Sequence, residues 1–170
     1  MESLTSSVVD FVRAHADIAP VIVFALAFGE SLAFISLLLP ATVILIAIGG
    51  LIGAAGLEFW TIWLSAALGA VAGDWVSYWF GFHYKDAIGH TWPLSRKPEL
   101  LQRGRRFFER WGAIGVFGGR FIGPLRCVMP LVAGICAMPM LPFQVTNVTS
   151  GFLWAAVVLA PGWFAAGWLN

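Results

Sequence analysis

Of 170 residues, 59% are hydrophobic and only 11% charged, against about 25% charged in a typical soluble domain, which excludes water as the solvent for most of the chain. A helix needs about 20 apolar residues to cross about 30 Å of hydrocarbon, so the length fits one membrane domain with no more than about four to six membrane elements. The formal net charge of +1 conceals an uneven distribution, with residues 127–170 free of charge, and nucleic acid is not among the expected partners.

In chain order, residues 1–17 carry Glu2, Asp10, Arg13 and Asp17. They lack the basic start and small-residue cleavage site of a signal peptide, and are read as an N-terminal interfacial segment retained on the mature protein. Residues 18–57 form an apolar run of forty positions interrupted by Glu30 and Pro40. Either two helices cross with a turn near Pro40, or a re-entrant hairpin dips in and returns; irregular backbone at its tip would need protein or a water-filled cavity around it.

Residues 59–82 read as a transmembrane helix, with Trp60 and Trp63 at one interface and Tyr78, Trp79 and Tyr84 at the other. Gly69, Gly73, Ser77 and Gly81 recur every fourth position, a small-residue groove for close helix approach. Residues 83–111 form a basic connection with Lys85, Arg96, Lys97, Arg103, Arg105, Arg106 and Arg110 against Asp86, Glu99 and Glu109, expected on the cytoplasmic side. Within it, Pro98 to Trp111 reads as an interfacial amphipathic helix whose Arg103, Arg106 and Arg110 meet anionic headgroups.

Residues 113–140 contain Pro124, Pro130 and Pro139, with Pro142 just beyond. Each proline removes a backbone donor, so this is read as a second broken, re-entrant hairpin. Residues 142–169 read as a C-terminal transmembrane helix, kinked or ended near Pro161. Gly29, Glu30 and Pro40 recur as Gly119, Arg120 and Pro130 at an offset of ninety, a faint repeat. With one crossing between the hairpins, they would enter from opposite sides, the inverted-repeat plan of many transporters.

Chemistry is expected at four charges inside the bilayer or its interface: Glu30, Asp74, Arg120 and Arg126. An isolated charge at the bilayer centre costs about 2.5 to 3.5 kcal/mol on insertion scales, so such groups are paired or functional. One reading is an ion-pair network pinning the hairpins together. The other is two guanidinium forks on irregular backbone around Gly123 and Pro124, suited to a lipid phosphate. Glu30 is either a titratable gate or an arginine's permanent partner; Asp74, one turn before Tyr78, is either a proton relay or a cap for free amides.

Cys127 and Cys136 read as free buried thiols, and His15, His83 and His90 lie away from the intramembrane charges. No metal site and no cofactor is expected. The chain contains no phosphate-binding loop, GxSxG or HExxH, so no enzymatic activity is expected. The GxxxG pairs, such as Gly49 with Gly53 and Gly115 with Gly119, are read as packing within the monomer, and a homo-oligomer is left open.

The motifs FGESLAFISLLLPAT (Phe28 to Thr42), GAVAGDWVSYWFG (Gly69 to Gly81) and GRFIGPLRCVMPLVAG (Gly119 to Gly134), followed by Asn147 and Trp154, resemble the DedA family of bacterial inner-membrane proteins, within the VTT or SNARE-associated Golgi protein superfamily. The resemblance implies an all-α integral membrane fold, an inverted repeat of re-entrant helical hairpin plus transmembrane helix. It also implies a lipid flippase or transporter that moves undecaprenyl phosphate or a phospholipid such as phosphatidylethanolamine between leaflets, coupled to a proton or sodium gradient. On this resemblance Arg120, Arg126, Asn147 and Tyr78 would bind substrate, and Glu30, Asp74 and Thr42 would gate or couple. Thr42 stands where some members carry a second acid, and Ala41 where a glycine often follows the proline; a threonine cannot take up a proton near neutral pH. The competing expectations are a small secondary transporter or channel for protons or cations using Glu30 and Asp74, and a structural membrane protein whose charges only lock the fold.

Overall fold

A computed structural model describes residues 17–32, 45, 49, 58–85, 98–122 and 125–168; the side chains of 98–105, 125 and 165–168 lie outside that description. All the helices in it are α-helices: α1 (Ala19–Ser31), α2 (Phe59–His83), α3 (Pro98–Gly119), α4 (Leu125–Ile135) and α5 (Met140–Trp168). Pro40 and Thr42, the tip of the first hairpin and the N-terminal segment to residue 16 lie outside the described residues.

Length separates the helices into two kinds. With 25 and 29 residues, α2 and α5 are about 37 and 43 Å long at 1.5 Å per residue, enough to cross the hydrocarbon. With 13 and 11 residues, α1 and α4 reach only about 20 and 16 Å, which is too short. α1 begins with Pro20 in its first turn and stops where Leu32 turns extended, its N–H donated to the Gly29 carbonyl.

α2 is built to be approached closely. A Cβ on Gly73 would fall 2.5 Å from the Phe28 carbonyl oxygen of α1 and 2.7 Å from Ser31 Cβ, and one on Gly69 would strike the Phe24 carbonyl. Further along, Gly81 meets the Leu131 carbonyl and Gly134 of α4 meets the Tyr78 carbonyl. The small-residue stripe therefore seats α1 on one stretch and α4 on the next. Trp75, Val76, Trp79 and Phe80, on the remaining surface, are exposed, as a lipid-facing side should be.

Two expectations about proline and arginine need correction. Arg126 lies in the first turn of α4, not on irregular backbone; the helix tolerates Pro130 inside it, although Pro130 offers no N–H to the Arg126 carbonyl four residues earlier. α5 starts at Met140 and runs through Pro161 to Trp168, so Pro161 does not end it. α3 breaks at Gly112, where φ is 45° and ψ is −125°, a conformation open to glycine.

α2 and α5 run antiparallel. Tyr78 stacks on Phe143 at 4.2 Å near one end, Trp63 donates its indole N–H to the Phe152 carbonyl further along, and Phe59 meets Trp163 at 5.2 Å at the other. Two apolar clusters form along this pair. One holds Val23, Ala27, Leu45, Ile62, Ala70, Trp154 and Leu159; the other holds Tyr78, Phe108, Val116, Ala133, Met138 and Phe143. On α2 the first ends at Ala70 and the second starts at Tyr78, while on α5 the order reverses between Phe143 and Trp154. Asp74, Asn147 and Ser150 fall in both intervals, so a polar layer separates two apolar ones.

Candidate functional site

Each charged side chain of this layer reaches it from a different part of the chain. Glu30 sits in the last turn of α1 and Asp74 lies three residues past Val71, the midpoint of α2, about 4 to 5 Å along the axis. Arg120 follows the last residue of α3, in a turn where Phe121 and Ile122 donate N–H groups to the Gly118 and Gly119 carbonyls. Arg126 opens α4. All four are withdrawn from the surface: Glu30, Asp74 and Arg120 are buried, and the Arg126 side chain is 14% exposed.

The charges pair across the chain. Arg120 Nη1 lies 2.7 Å from Asp74 Oδ2, and Arg126 Nη2 is paired with Glu30 Oε1. Arg120 Nη1 also donates to Asn147 Oδ1 at 3.1 Å, to the Asn147 carbonyl at 3.2 Å and to Ser150 Oγ at 3.1 Å. Asn147 is itself fixed, donating from Nδ2 to the Val71 carbonyl at 3.0 Å and to Gln144 Oε1 at 3.3 Å. Arg126 is held differently, its guanidinium carbon 4.9 Å from the centre of the Trp154 ring, a cation–π contact. Taking a charge into a medium of low dielectric is tolerable only with such partners, and removing one partner of a buried pair costs about 3 to 5 kcal/mol.

Between the pairs lies a cavity of about 10 Å³ lined by Ser31, Asp74, Arg120, Arg126 and Trp154, room for about one water molecule. The Ser31 side chain hydrogen-bonds Asp74, and its carbonyl accepts the Ser77 hydroxyl at 3.2 Å and ties the end of α1 to α2. Among the described residues no group of three or more His, Cys, Asp or Glu is placed to hold a metal ion.

Of the residues singled out from sequence, Glu30, Asp74, Arg120, Arg126 and Asn147 are brought together. Tyr78 is not: its hydroxyl donates to the Met138 carbonyl at 2.6 Å, holding the turn between α4 and α5, and it does not line the cavity. Thr42 lies outside the described residues, as does the Arg103 side chain; Arg106 and Arg110 are exposed on α3. Sequence reasoning missed Ser31, Ser150 and Trp154 as site residues. The signal was present for the last two, because 147, 150 and 154 share one helical face.

The VTT domain model matches residues 39–164, a stretch that contains α2, most of α5 and three of the four charges of the site. The chain belongs to the VTT domain family. Among curated VTT and DedA relatives, it is 36% identical over 80% of its length to the inner membrane protein YabI of Escherichia coli, covering 54% of that protein. It is 33% identical over 79% of its length to the uncharacterized membrane protein BU139 of Buchnera aphidicola, covering 53% of it. An uncharacterized membrane protein of Mycobacterium tuberculosis, Rv2637, is 38% identical over 62% of the chain and 52% of its own length. The chain therefore spans about half the length of the curated relatives it matches. No solved structure matches it significantly. Family membership together with α2 and α5, both apolar and long enough to cross, makes this VTT protein a multi-pass protein of the bacterial inner-membrane type.

Proposed function

We propose that this VTT protein moves a phosphate-bearing lipid headgroup between leaflets, with Arg120 and Arg126 as its phosphate-binding groups and Glu30 as the gate. The observation that carries the reading is the pair of buried arginines, each held by a carboxylate beside a cavity near the middle of the spanning helices. In this state the two acids balance the two guanidinium groups, and about 10 Å³ holds no headgroup, so the arrangement corresponds to a closed site at rest. A proton on Glu30 releases Arg126 and leaves the cluster with a net positive charge, which a phosphate can then take up bidentately. Asn147 keeps Arg120 aimed during the exchange. Undecaprenyl phosphate or a phospholipid such as phosphatidylethanolamine supplies the headgroup, and a proton or sodium gradient drives the cycle.

The same proposal reads the two halves as inverted repeats with re-entrant hairpins. The short α1 and α4 support it, since neither can cross. So does the antiparallel α2 and α5 pair, which puts Lys85 and Met140 at one end of the molecule and Glu58 at the other. The basic segment then lies on the cytoplasmic side.

The test is lipid translocation by the purified chain in proteoliposomes, with thermal stability in detergent as the control. Arg120→Ala and Arg126→Ala are expected to abolish translocation; full activity in both would remove the proposal. Because both arginines are already occupied by acids, a purely structural lock is the second reading. The double variant Glu30→Gln with Arg126→Gln separates the two, since removing both charges of a buried pair is often close to neutral for stability. Retained stability with lost translocation supports phosphate binding; retained stability with retained translocation supports the lock.

A further inference from the structure

Away from the central charges, the elbow of α3 encloses a groove of about 710 Å³ whose lining is almost wholly apolar, including Phe107, Trp111, Ile114, Gly118, Val128 and Met129. Its size lies within the roughly 300–1,000 Å³ of small-molecule sites. The groove exists because Gly112 breaks the helix: Phe107 and Trp111 stand on the segment before the break, Ile114 and Gly118 on the segment after it, and α4 closes the third side. It is open space at Gly118, where an added Cβ would meet nothing within 4 Å. Beside two of its aromatic walls, Arg106 and Arg110 are exposed one turn apart, next in sequence to Phe107 and Trp111, with Glu109 exposed on the same turn.

We propose that this groove holds one acyl chain of an anionic phospholipid whose phosphate rests on Arg106 and Arg110. The occupant follows from the surroundings. In a membrane an open apolar groove is filled by hydrocarbon, and a chain entering it from the bilayer gains no hydrophobic free energy, because lipid tails are as apolar as the walls. Selectivity for a resident lipid must then come from its head, and the exposed Arg106 and Arg110, each next in sequence to a lining aromatic, match a negative one. The site is separate from the ion pairs and does not depend on the transport reading: neither arginine lines the central cavity, and among the described residues no charged side chain lines the groove.

The full chain, reconstituted in phosphatidylcholine nanodiscs with traces of photoactivatable lipid carrying a diazirine on one acyl chain, supplies the test. Labelled phosphatidylglycerol is expected to mark peptides within residues 107–132 and to outcompete labelled phosphatidylcholine there. Gly118→Phe, which fills the groove, should remove that labelling while thermal stability is kept; Val128→Trp fills it from the α4 side and serves if the first variant does not fold. Arg106→Gln and Arg110→Gln should each lower the preference for the anionic lipid about fivefold, from roughly 1 kcal/mol per basic side chain near an anionic headgroup. Equal labelling by both lipids in the unaltered chain, or undiminished labelling in a folded groove-filling variant, overturns the proposal.

Discussion

Arg120 concentrates four acceptors on one guanidinium nitrogen: a carboxylate, an amide oxygen, a backbone carbonyl and a hydroxyl. Such a node is stiff, and its weak point is Asn147, which both receives Arg120 and satisfies the Val71 carbonyl. Asn147→Leu leaves both without that partner and is expected to cost about 1 to 3 kcal/mol for each buried group stranded, read as a lowered melting temperature in detergent. Glu30→Gln tests the gate more directly. The amide keeps the shape but not the charge, so translocation should persist while its dependence on an imposed gradient disappears. The four charges were legible because ionisable residues inside apolar runs are conspicuous, and the balance of two acids with two arginines already suggested pairing. Which acid meets which arginine was not legible, since partners 46 and 96 positions apart are set by how the helices pack. Ser31 and Ser150 escaped notice for the opposite reason: a serine in a membrane helix is common, and only its neighbours give it meaning.

Between α4 and α5 the chain turns through Ala137, at a φ of 56°. Its N–H donates to the Gly134 carbonyl and that of Met138 to the Ala133 carbonyl, the pattern that usually places glycine at this position. Alanine there carries a steric cost of about 1 to 2 kcal/mol, so Ala137→Gly is expected to stabilise the protein by about 1 kcal/mol, checked by thermal unfolding in detergent. Tyr78 supports the same turn from α2, and Tyr78→Phe should lose about 1 kcal/mol without the loss of translocation expected of the arginine variants. Glycines that look alike in sequence differ sharply here. Gly134→Val would drive a side chain into the backbone of α2 and separate the helices, whereas Gly118 faces open space. The small residues recurring every fourth position found the packing face of α2. Sequence alone could not show that α5 continues through Pro161, because a proline late in a long, well-packed helix can be carried by the contacts on either side of it.

At the scale of the whole molecule, the polar layer between two apolar clusters makes the charged site a structural seam as well as a candidate binding site. Cysteines introduced singly at Glu58, Lys85 and Met140, in a background lacking Cys127 and Cys136, test the topology with a membrane-impermeant thiol reagent. The Lys85 and Met140 variants should be labelled from one side and the Glu58 variant from the other; labelling of Met140 together with Glu58 would mean an odd number of crossings between α2 and α5 and would overturn their antiparallel arrangement. Composition and the family motifs were sufficient for an all-helical membrane protein, because they depend on the solvent the chain must meet. The elbow groove was invisible to them, since it arises from the angle at Gly112 and the approach of α4, neither of which leaves a periodic trace.

Both ion pairs join a carboxylate from the first half of the chain to a guanidinium from the second. During synthesis the acids emerge from the ribosome first, and the arginines arrive when their counterions are already in place. A fragment starting after Lys85 would reach the insertion machinery with Arg120 and Arg126 stripped of their partners Asp74 and Glu30, so it should be retained poorly and be rescued when the N-terminal fragment is co-expressed in the same cell.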